Sequence, residues 1–486
     1  DPDVIRVEDT YYMVSTTMHF MPGCEILQSF DLVHWEHATY VYETLDHTDA
    51  QQLKSGQNIY GQGMWAASLR YHEGRFYICF VANDTRKTYL YTSEKIDGPW
   101  KKQLIEGFYH DGSLLFDEDG RNYIVYGNDE IWITELNEDL TAPKKDGLHR
   151  LLVSDHKNPE LGYEGSHIQK INGYYYIFLV HSLRDRWMRT EACFYSDSLE
   201  GEFTGGDVLC DDRGYCGQGV AQGGIVDTPD GKWYAMLFQD SGAVGRIPIL
   251  VPVTWKDHFP VFGQNGHVPE EIEVHSTRPG YIYQPLVGSD DFCNGLLPRW
   301  QFNHDPDPRY YHLDALQGTY TITTREVCTE LTQAVNTLTQ RMSYPSCAAE
   351  VTVDASALKE GDVAGLCAFQ GCYAAVGITK HHGKYEVLML DKKEDGILDM
   401  TERTVVESHQ MDFRLEADFC NMKDEARCYY RVNKGDWLPI GTVHKLYFKL
   451  DHFTGCRFGL FCYAAEETGG SACFRDFKYY DVDEIS

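Results

Sequence analysis

The chain has 486 residues, 43% of them hydrophobic and 24% charged, a length that suits two domains and a composition that suits a globular protein. A formal net charge of −31 argues against nucleic acid, whose phosphates it would repel, and leaves room for a neutral ligand such as a sugar. No apolar run is long enough to span a bilayer and no signal-peptide pattern opens the sequence, so a membrane partner is not expected and the compartment stays open between cytoplasm and periplasm.

In chain order, five stretches share one plan: "DPDVIRVEDTYYMVS" from Asp1, "WAASLRYHEGRFYICF" from Trp65, "DGSLLFDEDGRNYIVYG" from Asp111, "EGSHIQKINGYYYIFLV" from Glu164 and "QGGIVDTPDGKWYAMLF" from Gln222. Each is a strand, a tight turn and a second strand with aromatics near its start, the pattern of a β-hairpin. The turn residues Thr10, Gly74, Gly120, Gly173 and Gly231 are spaced by 64, 46, 53 and 58 residues. That spacing is close to the ~40–50 residues of a four-stranded propeller blade plus loops. Helical periodicity is almost absent. Residues 1–280 therefore read as a five-bladed β-propeller.

The repeat also fixes a register. Nine residues before each turn residue stand Asp1, Trp65, Asp111, Glu164 and Gln222. Side chains alternate along a strand, so equivalent positions in equivalent blades share a height. If these strands are innermost, the five side chains ring one mouth of the channel. Three carboxylates in one cavity repel one another and lose hydration, which is costly without a purpose. Calcium ligation or simple solvation of the rim is the competing reading. Glycoside hydrolysis is the chemistry that needs paired carboxylates across a small pocket, and Trp65 would give it a flat wall for a sugar ring.

Beyond residue 280 the pattern changes. Residues 281–486 read as a connection followed by short alternating strands, such as "CAAEVTVDA", "YAAVGITKHHGKYEVLML" and "FGLFCYAA", which suggest a two-sheet sandwich. Ten of the 15 cysteines fall after residue 290, with no zinc spacing, and are expected to be small buried hydrophobes rather than a disulfide framework.

These segments together resemble glycoside hydrolase family 43. The segments "DPDVIRVEDTYYMVSTTMHF", "HDGSLLFDEDGRNYIVYG" and "YEGSHIQKINGYYYIFLV" carry the likeness, and "SDDFCNGLLPRWQFNHDPD" resembles the start of the sandwich domain of its β-xylosidase-like branch. The resemblance implies an all-β chain, a five-bladed propeller followed by a concanavalin-like jelly roll. It implies an exo-acting inverting glycosidase that removes terminal pentoses, β-D-xylosyl or α-L-arabinofuranosyl, from hemicellulose-derived oligosaccharides. An enzyme acting mainly as an α-L-arabinofuranosidase, or a propeller that only binds carbohydrate, are the alternatives.

Residue by residue, the resemblance makes Asp1 the general base, Asp111 the acid that tunes and orients the donor, and Glu164 the general acid. Arg246 matches the arginine that reaches substrate hydroxyls, and Phe453, in "DHFTGCRF", the contact from a closing loop. His19 follows the first hairpin and is expected to line the same pocket. His167 falls at odd spacing from Glu164 and is expected to be structural. Gln222 departs from the histidine many members carry there, and an amide is a poor transition-metal ligand. No cofactor is expected to be required, with a structural Ca2+ in the channel the one ion the family raises. Residues before Asp1 are expected, and the oligomeric state is left open.

Overall fold

The computed structural model describes residues 1–481 and is built almost wholly of β-strands. Five four-stranded antiparallel sheets follow one another in sequence, each with its strands in chain order. Their inner hairpins are Asp3–Val7 with Thr10–Val14, Met64–His72 with Arg75–Ala82, Ser113–Phe116 with Asn122–Asn128, Glu164–Ile171 with Tyr174–Ser182, and Ile225–Asp227 with Trp233–Asp240. We call these sheets blades I to V. The turn in blade IV shows why the sequence folds this way. Asn172 (φ 51°) and Gly173 (φ 85°) are both left-handed, as the hairpin turn that matches strand twist requires.

Below the ring mouth, the channel is filled by charge. Arg70 of blade II donates to Asp3 Oδ2 at 2.8 Å, Leu114 O at 2.8 Å, Ser113 Oγ at 2.7 Å and Ile168 O at 3.3 Å, so one guanidinium ties four blades together. His167 Nδ1 approaches the other oxygen of Asp3 at 3.1 Å. Burial alone would raise the Asp3 carboxyl, yet Arg70 and His167 outweigh it and hold it down at about 2. A β-bulge between Glu164 and His167 turns His167 into this network. His167 holds Asp3 inside the channel and does not line the cavity at the mouth. The seam between blades V and I is closed by Arg6 Nη2 on Asp227 Oδ2 at 2.5 Å.

The last propeller strand ends at Phe262. The connection then runs back along blade I, where Thr277 N–H bonds Phe30 O and Gln284 N–H bonds Glu36 Oε2, both at 2.8 Å. From Gln301 the chain builds two facing sheets of eight and seven strands around one apolar core. The eight-stranded sheet is not made by this domain alone. Its edge strand is Phe20–Met21, from the loop between the second and third strands of blade I, paired to Gln301–Asn303. All 15 cysteines are free, most of them buried. No helix among the described residues is long and apolar enough to cross a membrane.

Candidate active site

At the mouth of the channel lies a cavity of about 300 Å³, lined by Asp1, Trp65, Asp111, Glu164 and Gln222, one from the head of each inner strand. Arg246, Phe453, His110, Asn128 and Arg189 complete much of its wall. The blade repeat is what brings the first five together. Asp111 and Gln222 carry left-handed backbone, at φ 47° and φ 65°. Conformations of this kind cost about 1–3 kcal/mol each and gather at functional sites. The neighbour of Glu164 has to be Gly165, because a Cβ there would meet the Gln222 side chain at 2.7 Å.

Asp1 is held by two donors. Arg246 Nη1 lies 2.5 Å from Oδ1, and the Thr16 hydroxyl donates to Oδ2 at 2.5 Å. Arg246 in turn meets Asp240 Oδ1 at 3.2 Å, and Asp240 also accepts Arg189. Asp1, Arg246, Asp240 and Arg189 thus form a chain of alternating charge along one wall. Desolvation penalises each of these charges, so each depends on its partners, and removing one leaves an uncompensated charge in the wall. An ionised carboxylate suits this position at Asp1.

Asp111 and Glu164 face each other across His110. His110 Nε2 sits 3.5 Å from Asp111 Oδ2 and 3.6 Å from Glu164 Oε2, without a well-formed hydrogen bond to either. The Asp111 charge raises the imidazole to about 9, against the opposing effect of burial and with Glu164 adding to it. The Asp111 carboxyl is itself pushed up, because burial and the Glu164 charge outweigh His110 and the 3.0 Å bond from Gly165 N–H. Glu164 Oε2 accepts the Asn128 amide at 2.9 Å. Trp65 and Phe453 meet edge to face at 5.7 Å, and the Arg246 guanidinium covers the Phe453 ring at 4.3 Å. The sandwich domain therefore supplies part of the pocket wall.

His19 is a correction. It does not line the cavity. It is fully buried between the domains, its ring 4.9 Å from that of His304, 5.2 Å from that of His452 and 4.8 Å from that of Tyr60. Met18, left-handed at φ 52°, turns the chain away just before it. Conversely, His110, Asn128 and Arg189 were not picked out from the sequence. The signal for His110 was its place directly before Asp111 in a quoted segment. Asn128 and Arg189 lie on second and third strands, whose heights the inner repeat does not fix.

Among the described residues, the group with ligand atoms all within 4.8 Å of one another is His110, Asp111 and Glu164. A metal there would have to displace the proton of an imidazole raised to about 9. At the channel centre, Asp3 has both oxygens engaged and the Arg70 guanidinium occupies the space beside it. These residues do not fit a divalent cation.

Residues 1–260 match the family model of glycosyl hydrolases family 43, and residues 289–480 match the β-xylosidase C-terminal concanavalin A-like domain. The chain belongs to glycosyl hydrolases family 43. Among its relatives is a protein named β-xylosidase of Formosa agariphila, 26% identical over 99% of this chain and 87% of that protein. A solved structure of a bifunctional GH43-CE protein of Bacteroides eggerthii is 42% identical, with a TM-score of 0.91 over 99% of this chain. This chain spans 62% of that one. A family 43 enzyme whose active site was engineered to display both endo-xylanase and exo-arabinofuranosidase activity is 27% identical, with a TM-score of 0.87 over 99% of this chain and 97% of its own.

Proposed function

We propose that this family 43 chain is an exo-acting inverting glycosidase, releasing terminal β-D-xylosyl or α-L-arabinofuranosyl units from hemicellulose-derived oligosaccharides. The observation that carries it is the cavity of about 300 Å³ where Asp1, Asp111 and Glu164 converge. That volume is at the small end for ligand pockets and suits one pentose rather than a chain threading through. The loop bearing Phe453 walls it from the side of the sandwich, which favours attack on chain ends.

In this reading Asp1 takes a proton from a water, which attacks the anomeric carbon as the glycosidic bond breaks. Arg246 and Thr16 fix the carboxylate that does so. Glu164, oriented by Asn128, gives its proton to the departing oxygen from the opposite side, and the product has inverted configuration. Asp111, next to Glu164 through His110 and Gly165, orients the donor. Trp65, whose indole N–H has no protein partner, offers both a flat face and a donor to the sugar. Every step uses groups of this chain, and no metal takes part.

Hydrolysis of a xylose disaccharide and of an arabinosyl-xylose, whose leaving groups need a proton, by wild type and Glu164→Ala with and without chelator, tests the reading. Turnover lost in the variant and indifferent to chelator is the expected result. Turnover that survives Glu164→Ala would overturn Glu164 as the proton donor, and a wild type inert on both substrates would leave a propeller that only binds carbohydrate.

A further inference from the structure

Trp187 and Arg189 are among the wall residues that the proposed reaction does not use. Trp187 sits in the loop between the second and third strands of blade IV and is 43% exposed. Arg189 opens the third strand, is 8% exposed, and its Nε has no hydrogen-bond partner. Both line the catalytic cavity. The loop is pinned at its neck, since Met188 N–H bonds Ser182 Oγ at 2.8 Å and Leu183 N–H bonds Met188 O at 3.2 Å. Arg189 lies 5.0 Å from the Trp187 ring and is anchored on its other side by Asp240. A large indole held open to solvent at a pocket mouth is unusual, because aromatic rings normally bury most of their surface.

Position decides what these groups face. Asp1 and Arg246 belong to blades I and V, whereas Glu164, Trp187 and Arg189 belong to blade IV, and Asn128 to blade III. In an inverting displacement the water enters on the side of the base and the leaving group departs on the side of the acid. The departing sugar must therefore lie against blades III and IV. Carboxylates and cations alternate along this wall, Asp1 with Arg246 and Asp240 with both Arg246 and Arg189. A neutral partner is what such a wall accepts.

Resting on the glycosidase reading above, we propose that Trp187 and Arg189 form the leaving-group subsite. The indole takes the apolar face of the departing sugar and the guanidinium donates to its hydroxyls. These two side chains make the enzyme select a saccharide, rather than any small aglycone, on the leaving side.

Two substrates separate this subsite from the pentose pocket. The β-D-xylosyl and α-L-arabinofuranosyl fluorides leave as fluoride and do not fill it, whereas a xylose disaccharide or an arabinosyl-xylose does. The measured quantity is the ratio of kcat/KM for the disaccharide to that for the matching fluoride. Trp187→Ala should lower it roughly 10- to 30-fold, the scale of one well-placed aromatic contact. Trp187→Tyr should restore most of the loss, and Arg189→Lys should lower the ratio in the same direction. An unchanged ratio in Trp187→Ala overturns the subsite while the glycosidase reading stands. A wild type inert on both fluorides overturns the glycosidase reading, and the subsite with it.

Discussion

Asp1 Oδ1 and Arg246 Nη1 lie 2.5 Å apart, joining the head of the first blade to the third strand of the last. The proposed base is thus fixed by the residue that closes the ring against it. Both side chains are nearly buried, at 6% and 12% exposed, so neither can be satisfied by bulk water if the other is removed.

Arg246→Ala should therefore cost both activity and stability. It leaves Asp1 without its cation in a dry wall and Asp240 with Arg189 alone, and breaking a buried pair costs about 3–5 kcal/mol. We expect kcat/KM to fall by at least roughly 100-fold and the denaturant midpoint to drop with an unchanged slope. Arg246→Lys should recover the stability better than the activity, since an ammonium cannot hold Asp1 and Asp240 in the same planar fork. Full activity in either variant would contradict the positioning of Asp1 by Arg246.

Glu164→Gln and Asp1→Asn should be told apart by leaving group. Loss of a proton donor costs about 100- to 10,000-fold, and most where the departing oxygen is a poor leaving group. Glu164→Gln should thus be far slower on a disaccharide but only mildly slower on an aryl glycoside with a low-pKa phenol. Asp1→Asn should be slow on both. Kinetics on the pair of substrates would show the roles reversed if the patterns were exchanged.

His110 should give the site an alkaline limit. Its folded value of about 9 stands above the ordinary 6.5, so its stabilising charge is fully present below about 6.5 and is lost as pH rises through about 9. The displacement corresponds to a net of about 3 kcal/mol, the attraction of the two acids less the cost of burial. Stability should decline between pH 7 and 9.5 in wild type and stay flatter in His110→Gln. An NMR titration of the His110 imidazole with a midpoint near 6.5 would remove the basis for this.

The histidines between the domains should give the opposite dependence. Burial pushes His19 well down, with His304 and His452 adding to it, and burial takes His304 to about 3. Their folded values lie below the unfolded one, so their contribution is complete above about 6.5 and is lost as pH falls toward 3. Each such group takes about 1.4 kcal/mol of stability per pH unit in that window. His304→Asn should make the unfolding midpoint less steep between pH 6.5 and 4.5. An equal slope in the variant would show that these rings do not set the acid limit.

How far the sequence could be read follows from backbone geometry. The ring of Asp1, Trp65, Asp111, Glu164 and Gln222 was legible because a hairpin turn fixes the register of the strand before it, and the alternation of side chains does the rest. His19 was misplaced because it stands in a loop, where no such alternation holds. His110 was overlooked for a related reason. Strand alternation would put it opposite to Asp111, but the left-handed backbone at Asp111 breaks the rule and both face one cavity. The charge chain through Asp240 and Arg189 could not be read at all, since it depends on which third-strand residues reach the mouth. The sandwich was legible as strands, but its sharing of Phe20–Met21 was not, as two residues in a loop carry no strand signal.

That borrowed strand has a consequence for how the chain can be cut and recombined. A propeller expressed without its partner would leave Phe20 and Met21 with their pairing groups unmatched, and a sandwich expressed alone would present the naked edge of Gln301–Asn303. Exposed edges of this kind invite association with other chains. The two halves are better viewed as one cooperative unit with two cores, so that grafting either onto a foreign neighbour means transplanting the seam along with it.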